Sequence, residues 1–203
     1  MYGEGYTKYH CEWEAGKPLP ASAVSELNHW RGEMYRRHWI GYDEAQAVGF
    51  GNISRRQAPG SGAFIISGTQ TGHLALLGPE HYTLVTRADI AHNRLHCRGP
   101  VQASSESLTH AAVYALPEAY AAVIHIHHLG LWEAWYDRLP TTAAEVPYGT
   151  PEMAREIQRL HAETDLPTRQ VCVMGGHREG LLSFGHSLEA AAQALIGLVS
   201  PSR

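Results

Sequence analysis

A chain of 203 residues with 44% apolar content and a formal net charge of −4 suits one domain over residues 21–203, preceded by an arm over residues 1–20. This composition excludes disorder over the whole chain and, because no basic tract exceeds a pair such as Arg36-Arg37 or Arg55-Arg56, a general nucleic-acid binder. No apolar run reaches the roughly 18 residues of a membrane span, residues 1–6 lack a signal-peptide pattern, and the odd, widely spaced Cys11, Cys97 and Cys172 fit a reducing, cytoplasmic setting better than a disulfide framework.

The arm is rich in Tyr, Trp, Gly and Pro. Ser22 then marks a helix over 22–38, with Val24, Leu27, Trp30 and Met34 as its apolar stripe. Residues 49–54 and 64–67 read as strands around the turn-rich stretch 57–62, and 82–86 reads as another. Residues 104–116 read as a helix capped by Ser104 or Ser105 and ended by Pro117. Residues 121–126 form a buried strand, and 150–162 a helix with Pro151 in its first turn. Strands at 171–174 and 181–184 flank a glycine-rich connection, and a helix over 187–199 closes the chain. Strands and helices alternate without a strict βαβ rhythm, so the expectation is an α/β domain with helices on the faces of a sheet.

Two counts stand out. Histidine numbers 14, and of the 16 basic residues only Lys8 and Lys17 are lysines. Surplus imidazole suggests metal or acid–base chemistry near neutral pH. A Schiff-base enzyme needs a desolvated lysine, and no residue after 17 supplies one.

The strongest local feature is His125-Ile126-His127-His128. Residues two apart on a strand face the same side, so His125 and His127 can present both imidazoles to one ion, as zinc sites require. His128 points the other way. The alternative is a buried histidine satisfied by hydrogen bonds. His177, in the connection Gly175-Gly176-His177-Arg178-Glu179-Gly180, is the best third ligand, because glycine lets backbone approach a site closely. His110, His161 and His186 compete with it. The helix dipole accounts for His161 without function. His73, His81, His92 and His96 read as surface residues, and His10, His29 and His38 carry no assigned chemistry.

Ser104-Ser105-Glu106 opens a helical run. It reads as an ordinary acidic cap, or as an anion site in which Glu106 stands ready for acid–base work. Gly51-Asn52-Ile53-Ser54 and Thr69-Gln70-Thr71-Gly72 are small polar turns that can cradle an oxyanion or serve simply as turns.

Five motifs then run in a fixed order: Gly51-Asn52-Ile53-Ser54; the run from Ile66 to Gly72; Ser104-Ser105-Glu106 with His110 a turn later; Ala122-Val123-Ile124-His125-Ile126-His127; and Gly180-Leu181-Leu182-Ser183-Phe184-Gly185 leading into Ser187. Over about residues 25–199 the chain resembles the class II aldolase/adducin family, which includes fuculose-phosphate and rhamnulose-phosphate aldolases and ribulose-phosphate 4-epimerase. The resemblance implies a three-layer α/β/α fold with a central, largely antiparallel sheet. It also implies a divalent metal, usually Zn2+, held by three histidines, two of which match His125 and His127. Glu106 matches the family's acid/base, and Asn52, Thr71, Gly72, Ser104 and Ser105 match its phosphate pocket. The implied reaction is a lyase-type C–C cleavage of a small hydroxy-carbonyl compound or sugar phosphate through a metal-stabilised enediolate. Family enzymes are commonly cytoplasmic homotetramers of carbohydrate metabolism.

Three departures modify that expectation. The family's third histidine directly precedes the glycine of the last motif, where this chain has Glu179; His177 lies three residues upstream of Gly180, and Glu179 is the fallback ligand. The segment carrying a catalytic tyrosine in some aldolases is missing, with Tyr136 and Tyr148 as substitutes. The C-terminus lacks an aromatic tail. These changes keep open an epimerase, dehydratase, decarboxylase or oxygenase at the same metal site, or a non-catalytic, adducin-like interaction domain.

Overall fold

The computed structural model describes residues 7–117 and 120–199. The elements within them follow in chain order: β1 (His10–Ala15), α1 (Ala21–Arg36), β2 (Gly41–Asp43), β3 (Val48–Phe50), β4 (Asn52–Arg56), β5 (Phe64–Ser67), β6 (Tyr82–Asp89), β7 (Arg94–Gly99), α2 (Ser107–Tyr114), β8 (Ala122–His127), α3 (Leu129–Trp135), α4 (Pro151–Glu163), α5 (Leu166–Arg169), β9 (Val171–Val173), β10 (Gly180–Gly185) and α6 (Leu188–Ile196). Eight strands make one sheet in the order β1-β7-β6-β5-β4-β8-β10-β9, and β2 pairs with β3 apart from it. The sheet is mostly antiparallel but mixed, because β1 runs parallel to β7.

Alternation of side chains along the strands feeds two apolar clusters. In β8, Val123 joins one cluster while Ala122, Ile124 and Ile126 join the other; in β5, Phe64 and Ile66 part from Ile65 in the same way. The first cluster takes Leu108 and Ala112 of α2 with Met153 and Ile157 of α4, and the second takes Leu27 and Met34 of α1 with Leu188 and Leu195 of α6. Each fully buried Leu or Ile side chain contributes about 1.5–3 kcal/mol. Strand β8, buried at all six positions, is therefore held firmly from both sides.

Several local expectations change. Pro20, not Ser22, occupies the N-cap of α1. The strand run expected over 49–54 breaks at Gly51, whose φ of 74° separates β3 from β4. The helix expected over 104–116 starts at Ser107 with Glu106 at its N-cap; Ser104 and Ser105 lie before it, in the turn that accepts Ser107 N–H on the Ser104 carbonyl. Residues 10–15, read as part of an arm, form the edge strand β1. Helix α3 carried too short an apolar pattern to be legible; His128 caps it by accepting the Leu131 N–H at 3.0 Å.

Candidate metal centre and its cleft

β8 ends at His127, between β4 and β10. The register sets Asn52 opposite His125 and Gly180 opposite His127. His125 and His127 share the face of Val123, toward which α2 packs. His177 comes from the connection between β9 and β10. Three backbone hydrogen bonds close that connection: Met174 N to Gly180 O, His177 N to Met174 O, and Gly180 N to His177 O. The closure brings His177 back over the strand end despite its upstream position in sequence. The three imidazoles then offer nitrogens that all lie within 4.8 Å of one another, with ring centroids 4.6–5.0 Å apart.

All three rings are buried, and burial favours their neutral forms. Burial, followed by the neighbouring His127, His177 and His110, holds His125 well below its ordinary pKa. Burial, with Lys8 nearby, pushes His177 down to about 3. Neutral imidazole is the form that ligates a metal. His125 Nε2 is fully buried and has no hydrogen-bond partner among the described residues. Such an atom costs about 1–3 kcal/mol if left alone, and a cation shared with His127 and His177 would satisfy it. The donor set therefore fits a divalent ion.

Around this cluster the other expected residues gather. Glu106 is 2% exposed; its Oε2 accepts from Thr109 Oγ1 at 2.9 Å, and its Oε1 lies 3.3 Å from His177 Nδ1. Asn52 Nδ2 lies 3.4 Å from His125 Nδ1, while its buried Oδ1 lacks a partner. Turning the amide by half a revolution lets Oδ1 accept from His125 Nδ1–H, which leaves Nε2 as a free lone pair for an ion. Asn52, Thr71, Gly72, Ser104, Ser105, Glu106 and the three histidines all line one cleft of about 470 Å³, open solvent included. Gly51 permits the approach: a Cβ there would stand 2.7 Å from Ile40 Cγ1 and 3.1 Å from the His125 carbonyl.

Four contributors escaped sequence reasoning or were left unassigned by it. The Phe50 ring stacks on His127 at 5.3 Å, and Tyr148 stacks on His177 at 4.4 Å. Tyr148 thus lines the cleft, whereas Tyr136 packs on Trp132 at the end of α3. Lys8 Nζ stands 3.3 Å over the Tyr148 ring and donates to the Tyr148 carbonyl at 3.2 Å. Arg31, 2% exposed, donates to the carbonyls of Ala75, Thr71 and Gly72 at 2.9, 3.1 and 3.3 Å. Its clamp turns these carbonyls inward behind the cleft. In sequence, nothing sets Arg31 apart from the other polar residues of this helix. The isolated lysine at position 8 was visible, but its target 140 residues away was not.

The remaining histidines have other places. His110 is fully buried, with Nδ1 2.6 Å from Ser54 Oγ, which also meets Tyr114 OH at 2.7 Å. His161 and His186 both pack on Tyr120. His73 and His92 are exposed, and His81 and His96 are half-buried. Glu179 lies outside the cleft lining, with φ 73° and its carbonyl accepting from His128 N–H.

Two outcomes follow for stability. Arg31→Met leaves the Ala75 and Gly72 carbonyls without their donor, while Thr71 keeps the Leu74 N–H, so urea unfolding should show a loss of about 2 kcal/mol, and amides of residues 69–75 should exchange faster. Burial pushes His110 down to about 3. The unfolded state, with an ordinary value near 6.5, then binds the proton that the folded state refuses. In metal-free protein, stability should fall as pH drops below about 6.5, by up to about 1.4 kcal/mol per pH unit for this one residue. Urea titrations from pH 7 to 4 read the slope, to which His125 and His177 add in the same direction, and His110→Asn should make it shallower by its own share.

The fold and the chain can be compared with known proteins. Residues 33–200 match the model of the class II aldolase and adducin N-terminal domain. No curated protein sequence matches. Among solved structures, YgbL of Klebsiella pneumoniae, described as a candidate aldolase/epimerase/decarboxylase, superposes with a TM-score of 0.63 at 19% identity, covering 87% of this chain and 84% of that one. L-fuculose 1-phosphate aldolase gives 0.64 at 16% identity over 89% and 84%. A sugar-phosphate aldolase from Thermotoga maritima gives 0.61 at 16% identity over 90% and 97%. At these identities the structural likeness speaks for the fold, while the family match spans most of the chain: the protein belongs to the class II aldolase and adducin N-terminal domain family.

Proposed function

We propose that the protein is a divalent-metal-dependent lyase that cleaves a C–C bond in a small hydroxy-carbonyl compound, with a sugar phosphate as the favoured substrate class. The observation that carries the reading is the convergence of three buried imidazoles with a buried carboxylate 3.3 Å from one of them, in a cleft walled by hydroxyls and small turns. His125, His127 and His177 would hold the ion, with Zn2+ the best match to three imidazoles. When bound, the ion would supply Lewis-acid polarisation of the substrate carbonyl and offset negative charge developing on its oxygens.

The chain's own residues do the rest. Glu106, fixed by Thr109 Oγ1 on one oxygen, moves the proton with the other. Asn52, Thr71, Gly72, Ser104 and Ser105 supply neutral donors that suit a phosphate. Phe50 and Tyr148 hold the His127 and His177 rings in place and limit water around them. No lysine chemistry is required.

The same reading includes a three-layer α/β/α arrangement, supported by the two apolar clusters fed from alternate strand positions. It also includes a cytoplasmic homotetramer acting in carbohydrate metabolism. Among the described residues no helix is long and apolar enough to cross a membrane. The arm and domain division at residue 20 stands as part of this proposal, with β1 docked on the sheet edge. A second reading, epimerase or decarboxylase chemistry at the same centre, is favoured by the fold shared with YgbL, a candidate aldolase/epimerase/decarboxylase.

Metal analysis and product assays test both. The purified protein is expected to carry one divalent ion per chain, and His125→Ala to remove most of it; unchanged metal content in that variant sinks the centre. Glu106→Gln should keep the metal and lower kcat at least about 100-fold. A kcat equal to wild type would take Glu106 out of the mechanism. Retro-aldol products from a panel of ketose phosphates distinguish the lyase from the second reading, and Ser105→Ala should raise KM more for phosphorylated than for unphosphorylated substrates.

A further inference from the structure

At the outer edge of the sheet, β1 and β7 each carry a cysteine on the same face. The parallel register sets Cys11 opposite Leu95 and Trp13 opposite Cys97, so the two thiols are diagonal neighbours. Their Sγ atoms lie 3.6 Å apart although 86 residues separate them along the chain. Both are free. Cys97 is 2% exposed, whereas Cys11 is half-buried on the last strand of the sheet. Cys172 is fully buried in β9, at the opposite edge.

We propose that Cys11 and Cys97 are a redox modification site: a dithiol that a low-molecular-weight disulfide such as oxidised glutathione converts to an intrachain disulfide. The two sulfurs must close from 3.6 Å to about 2.05 Å; because the residues are diagonal neighbours, closure combines side-chain rotation with a shift of β1 at the sheet edge. The pair's thiolate, placed on the half-buried Cys11 as the remaining proton shifts to Cys97, attacks one sulfur of the oxidant. The oxidant's S–S bond breaks, one glutathione leaves as thiolate, and a mixed disulfide forms on Cys11. The Cys97 thiolate then attacks the Cys11 sulfur, and the second glutathione leaves. Two protein thiols have lost two electrons and two protons, and one glutathione disulfide has become two thiols.

The neighbourhood suits this exchange. Either sulfur can donate the hydrogen bond between them, so the first proton leaves the pair while the second bridges the sulfurs. That hydrogen bond from Cys11 draws the Cys97 thiol down to about 7 and moves Cys11 upward. The pair therefore gives up its first proton near neutral pH, which supplies the thiolate for the opening attack; once Cys11 is in the mixed disulfide that hydrogen bond is gone, and Cys97 attacks the sulfur beside it with loss of its own proton. Attack by an external disulfide on Cys97 itself is blocked by its burial.

The bond would fasten a segment that touches the cleft. In the sheet β1 is paired with β7 alone. The two residues before it are Lys8, over Tyr148, and Tyr9, whose hydroxyl donates to the Ser104 carbonyl at 2.8 Å. Oxidation therefore locks Lys8 and Tyr9 against the wall that carries Tyr148 and Ser104.

The test needs no substrate and no metal assay. Reduced full-length protein, freed of reductant, is equilibrated with glutathione redox buffers under native conditions, acid-quenched, alkylated and read by intact mass and peptide mapping. Wild type should lose about 2 Da, keep one alkylatable thiol at Cys172, and yield the Cys11 peptide joined to the Cys97 peptide, reversed by dithiothreitol. Cys97→Ser should stop at the mixed disulfide on Cys11, a gain of about 305 Da, and Cys11→Ser should not react. Hydrogen exchange at residues 10–15 should slow at least about tenfold in the oxidised form. A glutathione adduct that persists on wild-type Cys11, a crosslink between two chains, or no change across the whole redox range would each overturn the proposal. The wild-type crosslink decides the matter even if a variant fails to fold.

Discussion

Burying polar groups at the end of a central strand is unfavourable unless each finds a partner. His125, His127, His177 and Glu106 are all buried at one such end. Much of the surrounding structure can be understood as the means of keeping them there. Strands β4 and β10 fix the backbone on either side of β8. The closed connection after β9 returns His177. Thr109, one helical turn after Glu106, holds the carboxylate. His110, next along α2, ties that helix to Ser54 of β4 and so to the strand beside the histidine pair. Carboxylate and imidazoles are therefore braced by the same helix and the same two strands, which is the pre-organisation that site chemistry depends on.

Local pattern made part of this legible. The His-x-His spacing on an apolar run implies two imidazoles on one face because strand periodicity is two, and the register with Asn52 and Gly180 agrees with it. The order of the five motifs pointed to the family, and the match over residues 33–200 shows it. His177 was proposed from the flexibility of a glycine-rich connection. Its place in the cluster rests on three backbone hydrogen bonds that no local pattern encodes. Helix α2 began three residues later than expected, because the turn at 104–106 uses the Ser104 carbonyl where a cap was anticipated. That shift matters for the site, since it sets Glu106 at the helix boundary, facing the cleft.

Long-range partners were the part that local reasoning could not reach. Lys8 and Tyr148 meet across 140 residues, and Cys11 and Cys97 across 86. An edge strand with five of its six residues exposed offers no apolar alternation, so β1 looked like an arm. The cysteine count, odd and spread out, argues against a disulfide framework. Spacing in sequence says nothing of two thiols brought together by a parallel ladder. The shortage of lysine had set aside Schiff-base chemistry, yet one of only two lysines stands beside the cleft. Its ammonium contacts the ring and carbonyl of Tyr148, an arrangement that braces an aromatic wall.

The charge pattern of the cleft suits a bound cation. A lysine or arginine beside the histidines would repel a divalent cation and weaken its binding. Among the described residues, those lining the cleft include no Lys or Arg. Positive charge is instead kept one layer back. Arg31 sits behind Thr71 and Gly72, bonded to their carbonyls, and Lys8 sits behind Tyr148. On the proposed reading, the field of Arg31 and the donors of the small turns would act together on an anionic group of the substrate, with the guanidinium held away from the imidazoles by the carbonyls it bonds. A cleft built from neutral side chains can in this way favour both a cation and an anion a few ångströms apart, provided that its fixed positive charges stay behind the donors and its carboxylate stays beside the histidines.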